Sequence, residues 1–66
     1  MEVDVNGKKV SVPAGSSLST LIQQLSLGDS KIAVELNREI VPRSQYDSLQ
    51  LHEGDQLEIV QAIGGG

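Results

Sequence analysis

Hydrophobic and polar residues alternate through Glu2–Val5 and again up to Val12, with Asn6-Gly7 between the two runs. A period of two is the mark of a strand with one buried face. Asn-Gly accepts the positive φ angles of a two-residue hairpin turn. Taking that pair as the loop sets Val5 opposite Lys8, Asp4 opposite Lys9, Val3 opposite Val10 and Glu2 opposite Ser11. Met1, Val3, Val5, Val10 and Val12 then share one face, and Glu2, Asp4, Lys9 and Ser11 the other. The Asp4–Lys9 pair adds about 0.2–1 kcal/mol. Slipping by one residue would turn every valine to water, so burial decides the register.

The period then changes. Pro13-Ala14-Gly15 stops the strand, and Ser16 or Ser17 supplies a hydroxyl to cap a helix. Leu18, Leu21, Ile22 and Leu25 form one helical stripe, Ser19, Thr20, Gln23 and Gln24 lie opposite, and Gly28 is placed to end the helix. Beyond it, "IAVELN" reads as a strand and "EIVP" as a short extended piece that Pro42 confines to an edge. "RSQYDSL" reads as a turn or one helical turn, and "HEGDQ" as a tight turn into "LEIVQAI". In that last strand Leu57 and Ile59 point one way, Glu58 and Val60 the other. A single striped helix must bury its stripe on the sheet, which gives a two-layer α+β domain. The expected core is Val3, Val5, Val10, Leu21, Ile22, Leu25, Val34, Leu36, Leu57 and Ile59. Residues 1–66 read as one domain, with 62–66 as a flexible glycine tail that the core does not claim.

Composition narrows the function. A chain of 66 residues buries only about 60% of its unfolded surface, too little for a deep catalytic cleft. With no cysteine, neither a disulfide nor a thiol nucleophile is available, and stability rests on the aliphatic core. His52, Glu53 and Asp55 lie together, but no second imidazole completes a metal site and a plain turn explains them. The serines have no visible partner base. The expectation is therefore a protein with no catalytic residues and no metal. A net charge of −4 argues against nucleic acid, which demands a basic stripe. The acidic N-terminus is unlike a leader, and no apolar run approaches the roughly 20 residues of a membrane span. These readings suggest a soluble, cytoplasmic protein. Arg43, bonding a loop carbonyl or carboxylate, and Tyr46, capping the core, read as fold-stabilising.

The stretch from about Ala33 onward carries Asn37, "VPR" at Val41 to Arg43, Tyr46, "EGD" at Glu53 to Asp55, and terminal glycines. In this order and spacing the chain resembles the ThiS family of sulfur carriers in thiazole formation for thiamine, within the broader ThiS/MoaD group. The resemblance implies a ubiquitin-like β-grasp: a mixed sheet of four to five strands, first and last parallel at its centre, with one main helix on one face. It also implies that Gly66 bears the reacting carboxylate, adenylated at the expense of ATP by an E1-like enzyme, ThiF. A persulfide donor then supplies sulfur, and the resulting thiocarboxylate serves a thiazole synthase, ThiG. No cofactor is held stably by the carrier itself.

In that scheme Gly64 and Gly65 thread the partner's channel, because glycine is slim and takes φ/ψ values closed to other residues. Three extended glycines reach about 10 Å. The family pattern needs only the last two, so Gly64 has no assigned role. A frayed end is the alternative for "GGG". Val60, Ala62 and Ile63 form a candidate docking patch beside the tail; Val60 equally fits an isolated surface hydrophobic. Glu2, Asp4 and Glu58 would form an acidic rim if first and last strands are neighbours. A MoaD-type carrier for molybdopterin, a ubiquitin-like modifier of lysines and an inert binding module are the competing functions.

Overall fold

The computed structural model describes residues 1–28 and 30–61. Strands β1 (Glu2–Val5) and β2 (Lys8–Ser11) pair antiparallel in the register expected from the valines, Glu2 with Ser11 through Val5 with Lys8. Asn6 and Gly7 take φ of 53° and 85°, the left-handed pair that a two-residue hairpin turn demands. The Asp4 carboxylate accepts the Gly7 N–H at 2.9 Å, so it closes the turn instead of pairing with Lys9.

Helix α1 (Leu18–Gln24) starts at Ser17, whose Oγ accepts the Thr20 N–H at 3.2 Å. Ser16, the other candidate cap, is buried and donates its hydroxyl to the Pro13 carbonyl. The amides of Leu18 and Ser19 are satisfied by the carbonyls of Leu49 and Tyr46. Gly28 does not end the helix. The chain turns at Ser26, with φ 61°, while the Leu27 N–H bonds the Ile22 carbonyl and the Ser26 N–H that of Gln23, both at 3.0 Å. This double bond pattern closes a helix with a left-handed residue, here serine where glycine is usual. Leu27 packs against the core, so the apolar contact that accompanies such caps holds Ser26 in its unfavoured conformation.

The remaining elements are β3 (Ile32–Leu36), β4 (Glu39–Ile40), a 3-10 turn (Arg43–Gln45) and β5 (Gln56–Gln61). The five strands lie in the order β2-β1-β5-β3-β4, with β1 and β5 parallel at the centre and the other neighbours antiparallel. Asn37 and Arg38, both left-handed at φ 50° and 73°, turn β3 back into β4. The expected mixed sheet thus has five strands, and α1 packs on one face.

The core joins Val3, Val5, Val34, Leu57 and Ile59 of the sheet to Leu18, Leu21 and Ile22 of α1. Val10, Leu25 and Leu36, expected in it, are only half-buried. Val10 sits on the outermost strand, Leu25 caps the helix, and Leu36 is the last residue of β3. Val12, Leu18, Val41 and Leu51 are buried in addition. The last two lie outside the strands and are tied down by the backbone: the Val41 N–H bonds the Val34 carbonyl, and the Leu51 N–H that of Ser16, each at 2.9 Å. Tyr46 packs on the core as expected. Arg43 is exposed; its carbonyl accepts the Tyr46 N–H at 3.1 Å, but its guanidinium makes no hydrogen bond among the described residues, contrary to its expected role. No helix among the described residues is long and apolar enough to cross a membrane.

Candidate functional site

β5 is the strand on which the site is built, and its two ends are held differently. At its start, the turn before it is fastened to two segments, β1 and the turn between β3 and β4. Gly54 adopts φ 84° and donates to the Glu2 carbonyl at 2.8 Å. Glu53 Oε1 accepts the Glu2 N–H at 3.0 Å, and the Asp55 carbonyl accepts the Asp4 N–H at 2.8 Å. The Asp55 carboxylate accepts the His52 N–H at 2.7 Å and Asn37 Nδ2 at 3.2 Å. Asn37 also bonds Gln56 twice, its Oδ1 accepting the Gln56 N–H at 3.0 Å and its own N–H donating to the Gln56 carbonyl at 2.7 Å. Thus Asn37 and "EGD" are framework. His52 Nδ1 lies 4.0 Å from Asp55 Oδ2 at the same turn.

Toward its end β5 pairs with β3 as far as Gln61, opposite Ile32, and Gln61 Nε2 donates to Ser30 Oγ at 3.2 Å. Leu57 and Ile59 face the core; Glu58 and Val60 face out, with Val60 65% exposed. Val60 sits opposite Ala33, and Glu58 opposite Glu35, which is opposite Ile40 on the far side. Cross-strand partners share a face. The sheet surface away from the helix therefore sets two exposed aliphatics, Val60 and Ile40 (78% exposed), around two carboxylates. Like charges directly opposite each other are unfavourable in an isolated sheet. Asp4 and Gln56 pair on the β1 side, so the acidic rim of Glu2, Asp4 and Glu58 lies on this same face, and Asp4, Glu35, Arg38 and Glu58 line a shallow depression there.

Of the predicted site residues, Val60 is exposed on the outer face of the sheet. Ala62, Ile63, Gly64, Gly65 and Gly66 lie outside the described residues. Sequence reasoning missed Ile40 and Glu35. For Ile40 the signal was present: in "EIVP" two adjacent aliphatics on an extended segment cannot both face the core.

A sheet in the order β2-β1-β5-β3-β4 with a parallel central pair and one helix across it defines a ubiquitin-like β-grasp protein. A sequence model of the ThiS family matches residues 1–66. The sulfur carrier protein ThiS of Escherichia coli is 32% identical over 66 residues, all of each chain. The crystal structure of the thiamine biosynthesis protein ThiS from Geobacter metallireducens superposes with a TM-score of 0.83 at 30% identity, again over the whole of both chains. A thiazole synthase of Paramagnetospirillum magneticum is 41% identical over 66 residues. The chain spans all of its own length but only 20% of that relative, and likewise 20% of a thiazole synthase of Magnetococcus marinus. The chain belongs to the ThiS family.

Proposed function

We propose that this protein is the sulfur carrier for the thiazole moiety of thiamine, acting through a carboxylate on Gly66. The observation that carries this reading is the match over residues 1–66 to a family of carriers that share its fold. A carboxylate is a poor electrophile, so the first step is activation. Its oxygen attacks the α-phosphorus of ATP in the active site of an E1-like enzyme of the ThiF type; pyrophosphate leaves and an acyl adenylate remains. The terminal sulfur of a persulfide donor attacks the acyl carbon and AMP leaves, giving an acyl disulfide. A thiol then attacks that disulfide, forming a new disulfide and releasing the thiocarboxylate. The two electrons for this last step come from the thiols.

The thiocarboxylate sulfur is the nucleophile handed to a thiazole synthase of the ThiG type. The two thiazole synthases that carry a stretch like this chain support that partner. The carrier itself supplies no catalytic group and holds no cofactor; ATP is consumed by the activating partner, in the cytoplasm. Residues 1–61 form the globular body and 62–66 the tail, whose Gly64 and Gly65 thread the partner's channel. Val60, with Ala62 and Ile63, docks beside it, and Ile40 extends that contact across the sheet.

Intact-mass analysis after incubation with ATP, a ThiF-type enzyme and a persulfide donor tests the reading. One oxygen-for-sulfur exchange is expected, lost in Gly65→Val, since a β-branched side chain blocks a narrow passage and restricts φ/ψ. Adducts of the chain on lysines of other proteins would favour a modifier, and an unchanged mass would refute the carrier.

A further inference from the structure

β1 ends too early for the strand it supports. Its main chain bonds β5 as a parallel ladder: the Asp4 N–H donates to the Asp55 carbonyl and the Asn6 N–H to the Leu57 carbonyl, at 2.8 and 2.9 Å. Parallel ladders continue in evenly spaced rungs, and the next rung would engage Ile59. At Asn6-Gly7, however, the chain reverses into β2, and the main chain has nothing further to offer on that side. The side chain of Asn6 supplies the missing rung. Its Oδ1 accepts the Ile59 N–H at 2.9 Å and its Nδ2 donates to the Ile59 carbonyl at 3.0 Å. A carboxamide carries one acceptor and two donors on a planar head, so it can satisfy both polar groups of a single residue, as a neighbouring strand does.

We infer that Asn6 is a positioning residue: by fastening Ile59 on the β1 side it fixes the direction in which β5 runs up to Gln61. This rests on the carrier reading above. Without the clamp, Glu58–Gln61 would be held only along the β3 edge, free to twist about it. With it, the peptide two residues before Gln61 is gripped from both sides. A carboxylate that must meet the α-phosphorus of a nucleotide in another protein depends on where its strand is aimed. A displacement of 1 Å at a reacting group can cost about 100-fold in rate.

Asn37 provides the internal control. It too has positive φ, 50° against 53°, and it too binds the β5 region with its amide, but at Gln56 and Asp55, the far end of the strand. Glycine tolerates both backbone conformations, so Asn6→Gly and Asn37→Gly each remove a clamp without breaking a turn. ATP–pyrophosphate exchange with a ThiF-type enzyme, at varied carrier concentration, reads the difference. Asn6→Gly is expected to lower kcat by about 10- to 100-fold with KM within about twofold, while Asn37→Gly keeps kcat within about twofold despite a lower melting temperature. Should Asn6→Gly fail to fold, Asn6→Asp replaces it. The aspartate keeps the acceptor for the Ile59 N–H, loses the donor to the carbonyl, and should give a smaller loss in kcat. Equal kcat losses at positions 6 and 37, or a change in KM alone, would overturn the inference. Failure of the unaltered protein to support exchange would instead overturn the carrier reading, and this inference with it.

Discussion

Two hairpin turns flank β5, Asn6-Gly7 on the β1 side and Asn37-Arg38 on the β3 side, and each begins with a left-handed asparagine whose amide reaches the central strand. They differ in what they hold. Asn37 joins a dense network at the start of β5, shared with Asp55 and, through the "EGD" turn, with β1. Asn6 grips the strand near its end, at Ile59, beside an exposed outward valine. The lesson is a separation of labour along one strand. Asn37 and "EGD", among the residues by which the family is recognisable, secure its beginning, whereas its far end has no motif beyond the glycines that follow in the sequence.

That separation predicts a gradient: variants at the start of β5 should cost stability and spare sulfur transfer, with the reverse at the end. The largest effect on stability is expected at Leu57, 1% exposed and central to the core. Leu57→Ala should lose about 2–5 kcal/mol in urea unfolding, a cavity that so small a core cannot close. Asp55→Ala should lose roughly 1–3 kcal/mol, since it orphans the His52 N–H and the Asn37 amide together; an unchanged denaturation midpoint would show that water replaces both bonds. Arg38→Gly acts in the opposite sense. A left-handed L-residue costs about 1–2 kcal/mol, more than glycine's entropy of about 0.5–1 kcal/mol, so its melting temperature should rise modestly. Val60→Asp should fall within about 0.5 kcal/mol of the parent. Its effect belongs in titration calorimetry against the adenylating enzyme, where an unpaired carboxylate in a desolvated contact weakens binding. Unaltered affinity would return Val60 to ordinary surface.

The legible parts of the fold were those fixed by local periodicity. The β1–β2 register, the helical stripe and the facing of Leu57, Ile59 and Val60 all follow from which side of an element is wet. Strand order did not follow from it, because a parallel β1–β5 pair depends on contacts some fifty positions apart in sequence; only the family resemblance supplied it. The end of α1 was misread because Ser26, a residue with no glycine-like signature, is held left-handed by the packing of Leu27. Val41 and Leu51 escaped the core list because each sits in a segment too short to show a period. Arg43 resembled a structural cation, yet its side chain makes no hydrogen bond or ion pair among the described residues. At the site, Val60 was legible from alternation, but Asn6 looked complete as a turn residue; nothing in a sequence shows a side chain standing in for a strand.

The central place of β5 also bears on how the protein is made. Ribosomes add residues from the N-terminus, so the β1–β2 hairpin emerges long before the strand that fills the gap between it and β3. Until β5 arrives, one edge of β1 and one edge of β3 are bare, and each is a template for wrong pairing. The two halves of the sheet share no other strand. A chain interrupted before Leu57 therefore keeps the bonds of Ser16, Leu18 and Ser19 to the 46–51 segment but lacks the strand that joins the two halves of the sheet, and the fold closes only when β5 has been synthesised.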